Sequence, residues 1–133
     1  IVKDNFDQIS ELFQNLIDDK NIDVIISTGG TGLTGRDITP EVMETLFEKS
    51  IDGFGEMFRS LSFSKIGTSA LQSRALAGVT KGTYIFCLPG SPSACKDGWD
   101  YILVHQLDIR HKPCNFVEIM PRLREHEISR TKS

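Results

Sequence analysis

The stretch Val24-Ile25-Ile26-Ser27-Thr28-Gly29-Gly30-Thr31-Gly32 joins an apolar run to a cluster of glycines. A short continuous run of β-branched residues predicts a strand that is buried on both faces, as in the centre of a parallel sheet. The glycines free backbone N–H groups to face an anion, and the hydroxyls of Thr28 and Thr31 add two donors. We therefore interpret residues 28–32 as a loop that binds the phosphate of a small molecule, with a plain strand-to-helix turn as the alternative.

Two common phosphate-binding patterns match this loop only in part. The glycines of residues 30–35 satisfy the GxGxxG pattern of dinucleotide sites, in which the third glycine lies inside a helix. Here the next helix is predicted to begin only at Pro40, because proline suits the first turn of a helix and not its interior. The spacing also matches a nucleoside triphosphatase loop, but Arg36-Asp37 replaces the required Lys and Ser or Thr. Because neither pattern fits in full, we interpret these residues as a more open loop that binds an anion.

Asp37 lies five residues beyond the loop, where its carboxylate would repel bound phosphates. A Mg²⁺ ion between an aspartate and phosphate oxygens removes this repulsion and is typical of phosphoryl and nucleotidyl transfer. Asp37 is therefore a candidate metal ligand. An aspartate that caps a turn is the structural alternative.

Two further segments carry polar groups that suit a phosphorylated ligand. The apolar run of residues 84–88 predicts a second buried strand, and Pro89-Gly90-Ser91 follows it. Because ligands of open parallel sheets bind beyond the carboxyl ends of the strands, this turn is expected to lie near the first loop. Residues 68–74 combine hydroxyls with Arg74 at a predicted helix start, which suits a second phosphate or a nucleotide. Ser91 and Ser93 have helix capping as their alternative role.

The alternation of strands and helices along the chain predicts an α/β fold. We expect three layers, α/β/α, around a mostly parallel central sheet, with the first strand of that sheet upstream of Ile1. The predicted elements are a helix over 9–17 capped by Asp4 or Asn5, a strand over 24–26, a helix capped by Thr39, a short helix over 53–59, a strand-like 62–66, a helix over 69–77, a strand over 84–88 and a helix over 99–107.

Length and composition limit the class of protein. With 133 residues, of which 39% are hydrophobic, the chain predicts a single domain, 1–133, that ends in a charged tail over 117–133. The net charge of −3 disfavours a nucleic-acid partner. Three widely spaced cysteines favour a reducing cytoplasm, and neither an apolar leader nor a membrane-length apolar run is present. We therefore expect a cytoplasmic protein with no membrane partner.

Five blocks in this order resemble the molybdenum cofactor biosynthesis proteins of the MoaB/MogA type, whose eukaryotic relatives form the G domain of gephyrin and the plant cofactor-insertion protein. The resemblance spans most of residues 1–116, and the segment from Leu107-Asp108 to Cys114-Asn115-Phe116 is similar to the MoaB branch. The blocks are Thr28-Gly29-Gly30-Thr31-Gly32, Gly35-Arg36-Asp37-Ile38-Thr39-Pro40-Glu41, Gly53-Phe54-Gly55-Glu56, Leu71-Gln72-Ser73-Arg74 and Leu88-Pro89-Gly90-Ser91-Pro92.

The resemblance implies trimers that can pair into hexamers, and binding of molybdopterin. Active members of the family adenylylate it: the terminal phosphate of molybdopterin attacks the α-phosphate of ATP, and pyrophosphate leaves. Since that nucleophile is already ionised, positioning and charge neutralisation must lower the barrier. A chain without a paired His or Cys nucleophile agrees with this chemistry.

The resemblance also implies roles for individual residues. Asp4 and Asp37 match the two acidic positions that bind Mg²⁺ with ATP and are the implied catalytic residues. Residues implied to bind phosphate or nucleotide are Thr28, Gly29, Gly30, Thr31, Gly32, Pro89, Gly90 and Ser91, although some relatives have Asn in place of Ser91. Residues implied to reach the pterin are Ser69, Ser73 and Arg74.

Two other functions stay open at this point. One is a MoaB-type protein that binds molybdopterin without turning over ATP; retention of both Asp4 and Asp37 favours catalysis over it. The other is a nucleotide pyrophosphatase like those of the CinA branch of the same fold, whose loop typically lacks a residue such as Thr31 between the glycines.

Overall fold

Residues 1–127 fold into a four-stranded sheet with helices on both faces. A computed structural model describes residues 1–127, and the expected tail beyond them, 128–133, lies outside the described residues. The helices are α1 (Phe6–Asp18), α2 (Thr39–Leu46), α3 (Asp52–Ile66), α4 (Pro92–Gly98), α5 (Val104–Gln106) and α6 (Phe116–Ile119), and the strands are β1 (Val24–Thr28), β2 (Lys49–Ser50), β3 (Leu76–Thr80) and β4 (Thr83–Leu88).

The strands lie in the order β1-β4-β3-β2. β1 pairs parallel to β4, whereas β3 pairs antiparallel to both β4 and β2. Three of the four strands therefore run in the same direction, and the expected α/β/α fold with a mostly parallel sheet is confirmed. β3 is reversed because Lys81 and Gly82, both with positive φ (49° and 81°), form the two-residue turn of a tight hairpin with β4.

β4 is the central strand, and all six of its residues are buried. β1 was expected at the centre, but it lies at the edge of the sheet formed by residues 1–127. Ile25 packs on one face of the sheet, whereas Ile26, on the opposite face, is 43% exposed. Within residues 1–127 the β-branched run thus forms the predicted strand but at an edge of the sheet, and its burial there depends on what lies beside the strand.

Each face of the sheet carries its own apolar core. Asn5, one of the two predicted caps, starts α1: its Oδ1 accepts a hydrogen bond from the Gln8 N–H at 3.0 Å. On the face covered by α1 and α2 the core residues are Ile9, Phe13, Ile17, Ile25, Val42, Met43, Ile85 and Cys87. On the face covered by α3 they are Phe54, Phe58, Ala75, Ala77, Tyr84, Phe86, Leu88, Ile102 and Leu103.

Two predicted elements are wrong. Residues 62–66 were expected as a strand but form the end of α3, which stops at Gly67, a residue with φ of 62°. The apolar residues of the predicted strand, Phe63 and Ile66, are both about 60% exposed (60% and 58%), so neither lies in the core. Residues 69–77 were expected as a helix; instead a short 3₁₀ helix, Gly67–Gln72, leads into β3. The helix predicted over 99–107 is confirmed as a π-helical turn, Trp99–Leu103, followed by α5.

The segment after residue 116 contributes to the fold, which corrects part of the expected tail. Met120 and Leu123 pack against the core that contains Phe86. The Tyr84 hydroxyl donates a hydrogen bond to the Phe116 carbonyl oxygen at 2.7 Å, and the two rings lie 4.9 Å apart. Because this segment is rich in charged residues, its sequence pattern did not indicate that these few apolar residues pack against the core. No helix within residues 1–127 is long and apolar enough to cross a bilayer.

Replacing Phe86 by alanine tests the aromatic core. Phe86 is fully buried, and its ring centre lies 5.4 Å from that of Phe54 and 5.8 Å from that of Phe116. We expect Phe86→Ala to lower the free energy of unfolding by about 3–5 kcal/mol, because it leaves a cavity in a close-packed core. Urea unfolding followed by circular dichroism measures the change. Phe63→Ala, at an exposed ring, is the control and should change it by less than about 0.5 kcal/mol.

Candidate functional site

The glycine loop after β1 is held between the end of β4 and the start of α2. The N–H of Gly29 donates to the Leu88 carbonyl oxygen at 2.8 Å, and the Gly30 carbonyl oxygen accepts from the Thr39 N–H at 3.1 Å. Gly29 and Gly30 have positive φ angles of 98° and 71°, which favour glycine. A Cβ at Gly30 would also lie 2.4 Å from Thr39 Oγ1. The path of this loop therefore requires its glycines.

Thr39 serves the loop and does not cap α2. It was predicted as the helix cap, but Ile38 occupies the cap position and Thr39 is the first helical residue. The Thr39 hydroxyl donates to the Gly29 carbonyl oxygen at 3.3 Å. The Thr39 hydroxyl, which the sequence pattern assigned to helix capping, therefore bonds a residue ten positions earlier in the chain, because the loop folds back onto the start of the helix.

Asp37 is held as an ionised carboxylate. Its Oδ2 accepts hydrogen bonds from the Thr34 hydroxyl at 2.7 Å and the Thr34 N–H at 2.9 Å. These bonds are the main cause that lowers the pKa of Asp37, with smaller contributions from the Gly32 N–H and the charge of Arg74. The residue is partly exposed, and Oδ1 makes neither bond to Thr34. The carboxylate is therefore charged at neutral pH and accessible.

The turn after β4 forms the opposite wall of the site. Because β1 and β4 are parallel and in register, Thr28 lies beside Leu88 and both following loops leave the same edge of the sheet. A Cβ at Gly90 would lie 3.5 Å from the Cα of Gly29. Ser91 caps α4, with its Oγ accepting from the Ala94 N–H at 3.2 Å, which is the alternative role considered for this residue.

These segments enclose a cavity of about 490 Å³, a size typical of small-molecule sites. One side of it is formed by the glycine loop and Asp37, and another by the turn after β4 and the 3₁₀ helix. The predicted site residues that line it are Gly29, Gly30, Thr31, Gly32, Asp37, Ser69, Ser73, Pro89, Gly90 and Ser91.

Three predicted site residues do not line this cavity. Thr28 is exposed at the end of β1, and Asp4 is exposed in the segment that precedes α1. Arg74 was expected to reach the pterin, but its guanidinium donates to backbone oxygens of Gly32 and Asp37 and to the Glu41 carboxylate. Within residues 1–127 no three side chains of His, Cys, Asp or Glu are grouped closely enough to hold a metal ion by themselves.

Other lining residues were missed. Phe58, Ser62 and Ile66 of α3 face the cavity at intervals of four residues, which is a helical repeat. That spacing was available in the sequence, but the strand predicted over 62–66 concealed it. Gln72 also lines the cavity, and it lies in one of the five blocks that carry the family resemblance. Polar and apolar groups thus share this side of the cavity.

The fold and the cavity define an α/β domain with a glycine-lined site at the carboxyl edge of its sheet. Residues 1–109 match the family model described as a probable molybdopterin binding domain. The chain is 50% identical over 116 residues to molybdenum cofactor biosynthesis protein B of Escherichia coli K12, covering 87% of this chain and 68% of that protein. The chain therefore belongs to this molybdopterin-binding domain family, which confirms the predicted family.

Two further comparisons agree with this assignment. A protein of Methanocaldococcus jannaschii named probable molybdopterin adenylyltransferase is 42% identical over 96 residues, which cover 72% of this chain and 59% of that protein. A crystal structure of molybdenum cofactor biosynthesis protein B superposes with a TM-score of 0.81 at 33% identity, covering 94% of this chain and 73% of the other. The chain thus spans about 60–70% of the length of these curated relatives.

Replacing Gly32 by alanine tests how the loop places Asp37. A Cβ at Gly32 would lie 2.7 Å from Asp37 Oδ2, the oxygen that accepts both bonds from Thr34. We expect Gly32→Ala to displace the carboxylate and to raise its pKa towards the ordinary value of about 3.9. A ¹³C NMR titration of the Asp37 carboxyl measures this. Gly35→Ala is the matched control, since a Cβ there meets no atom within 4 Å; an equal shift in both variants would contradict the interpretation.

Proposed function

We propose that this domain acts in molybdenum cofactor biosynthesis and transfers the adenylyl group of ATP to the terminal phosphate of molybdopterin. The observation that carries the proposal is the shared cavity: the ionised Asp37 and the glycine loop line it together with the Pro89-Gly90-Ser91 turn. The similarity to a probable molybdopterin adenylyltransferase supports the same reaction. The geometry suits a reaction of two phosphorylated molecules that meet at one sheet edge.

The proposed reaction requires binding and orientation more than proton transfer. An oxygen of the molybdopterin phosphate attacks the α-phosphorus of ATP, the bond from that phosphorus to the bridging oxygen breaks, and pyrophosphate leaves with the electron pair. Because the attacking phosphate is already an anion, no general base is needed. Within the described part of the chain, neither a histidine nor a cysteine lines the cavity, which fits a site that works by positioning.

The two sides of the cavity suit different parts of the substrates. The backbone N–H groups of Gly30 and Thr31 are proposed to hold phosphate groups and to stabilise the charge that develops during transfer, because those of Gly29 and Gly32 already bond Leu88 and Asp37. The side chain of Ile66, with the polar Gln72, Ser69 and Ser73 nearby, is proposed to bind the pterin. The pterin role expected for Arg74 is not retained.

The residues present suit a Mg²⁺ ion that is shared with ATP. Asp37 is ionised and accessible, and its Oδ1 makes neither bond to Thr34. Magnesium in nucleotide sites is usually bound by one or two carboxylates together with phosphates and water, so a group of three protein ligands is not required. Bound there, the ion supplies charge neutralisation to the phosphates. Asp37 is the proposed ligand, and Asp4 stays a candidate on its motif alone.

Replacing Asp37 by asparagine is the direct test of the activity. Asparagine keeps the shape of the side chain but removes its charge, so we expect turnover to fall by about 100-fold or more while the chain stays folded. Chromatography of adenylylated molybdopterin, formed with ATP and Mg²⁺, measures turnover. Asp100→Asn is the control, because Asp100 is paired with Lys96 outside the cavity.

Each alternative function has its own outcome in this assay. Absence of product from the unchanged chain, with molybdopterin bound and no affinity for Mg-ATP, would indicate a carrier and contradict the proposal. Release of AMP from ADP-ribose without molybdopterin would indicate a nucleotide pyrophosphatase. Adenylylated product that depends on Asp37 supports adenylyl transfer over both.

We also propose that the protein forms a homo-oligomer, a trimer or a hexamer, in the cytoplasm. Met57 of α3 and Tyr101 of the π-helical turn are each 58% exposed and line the same groove between these elements, which suits contact with another copy. The free thiols of Cys87, Cys95 and Cys114 suit a reducing compartment.

The mass of the protein in solution tests the proposed oligomer. We expect sedimentation equilibrium to give three or six times the mass of one chain, and we expect Met57→Lys to lower the measured mass towards that of one chain. A single-chain mass for the unchanged protein at micromolar concentration would contradict this.

A further inference from the structure

Arg74 connects two sides of the cavity through its backbone and its side chain. It lies between the 3₁₀ helix Gly67–Gln72 and β3, and its N–H donates to the Thr31 carbonyl oxygen at 2.8 Å. Its Nε donates to the Gly32 carbonyl oxygen at 2.8 Å, and its Nη2 donates to the Asp37 carbonyl oxygen at 2.7 Å. One guanidinium therefore holds both ends of the segment 32–37, which carries the Asp37 carboxylate.

Glu41 fixes the orientation of this guanidinium. From the first turn of α2, its carboxylate accepts a two-point hydrogen bond, with Nη1 to Oε2 at 2.5 Å and Nη2 to Oε1 at 3.0 Å. A planar guanidinium matches a carboxylate in this arrangement, and a lysine ammonium does not. The side chains of Arg74 and Glu41 are 31% and 44% exposed, so solvent screens the pair only in part.

These contacts leave Arg74 little capacity to bind a substrate. A guanidinium has five N–H groups, and the bonds to Gly32, Asp37 and Glu41 use four of them. The Glu41 carboxylate also neutralises the positive charge, which weakens any attraction to a phosphate. A substrate could recruit this side chain only by breaking its contacts with the loop.

We infer that Arg74 and Glu41 are positioning residues that hold Gly32 and Asp37 in place for catalysis without touching the substrates. The role in catalysis rests on the proposed function, since Asp37 is the group whose position matters there. Reactions that depend on positioning are sensitive to displacements of about 1 Å, so a loosened 32–37 segment should slow transfer strongly. The hydrogen bonds themselves do not depend on the activity, which allows the two claims to be tested separately.

The first experiment measures the loop without any substrate. Amide hydrogen exchange, followed by NMR on the full chain, reports the N–H of Thr34, which is bonded to Asp37 Oδ2, and that of Asp37, which is bonded to the Thr34 carbonyl oxygen. We expect Arg74→Lys to speed exchange at both sites by about tenfold or more, because one ammonium cannot reach all three acceptors. Glu41→Gln, which keeps an acceptor but loses the charge, should give a smaller increase of the same sign.

Two variants control for general effects of these substitutions. Glu44→Gln removes the same charge from α2 at an exposed position near Arg74 but outside its hydrogen bonds. Arg59→Lys replaces another guanidinium, one whose Nη1 bonds the Ala75 carbonyl oxygen. Neither should change exchange at Thr34 or Asp37. Unchanged exchange in Arg74→Lys, or an equal increase in the controls, overturns the inference.

The second experiment separates positioning from substrate contact. For Arg74→Lys we expect kcat of adenylylation to fall about tenfold or more while the KM for molybdopterin stays within about twofold. A direct contact with the pterin would mainly raise KM, and that result overturns the inference. If the unchanged chain shows no adenylylation, the proposed function fails, while the exchange measurement still decides whether Arg74 and Glu41 hold the loop. If Arg74→Lys fails to fold, Glu41→Gln carries both measurements.

Discussion

The parallel pairing of β1 with β4 is the contact on which the site depends. In this register Thr28 lies beside Leu88, so both strands end together and their following loops leave one edge of the sheet. The hydrogen bond from the Gly29 N–H to the Leu88 carbonyl oxygen extends this pairing one residue into the loop. Without that shared end, the glycine loop and the turn after β4 would not enclose a common cavity. In open α/β sheets, ligands generally bind beyond the carboxyl ends of the strands.

The residues at this edge divide between binding surface and support. The glycines supply a backbone that approaches its neighbours closely, as shown by the short distances that a Cβ would make at Gly30 and Gly32. Asp37 presents a carboxylate whose charge is secured by Thr34. Arg74 does not line the cavity, and its guanidinium instead bonds the backbone of the loop.

How much could be predicted from the sequence varied with the kind of signal. The helical spacing in α1 and the apolar run of β4 each reflect burial directly, and both elements were predicted. β3 was missed because its first two residues, Leu76 and Ala77, fell in the segment predicted as a helix over 69–77. Residues 62–66 were predicted as a strand, but their apolar members Phe63 and Ile66 are exposed on α3. Secondary structure is predicted wrongly from the local pattern where the apolar residues of a segment are exposed in the folded protein.

By itself, the sequence determined the fold class, the family and the glycine loop, because strand runs, turn residues and the order of the motif blocks are local properties of the chain. Only the tertiary structure decided which of the predicted site residues share a cavity. Ser69 and Ser73 reach it, whereas Asp4 does not line it and Arg74 turns to Gly32 and Glu41. The physical reason is that a long side chain selects among acceptors brought close by folding, and sequence spacing carries no information about those distances.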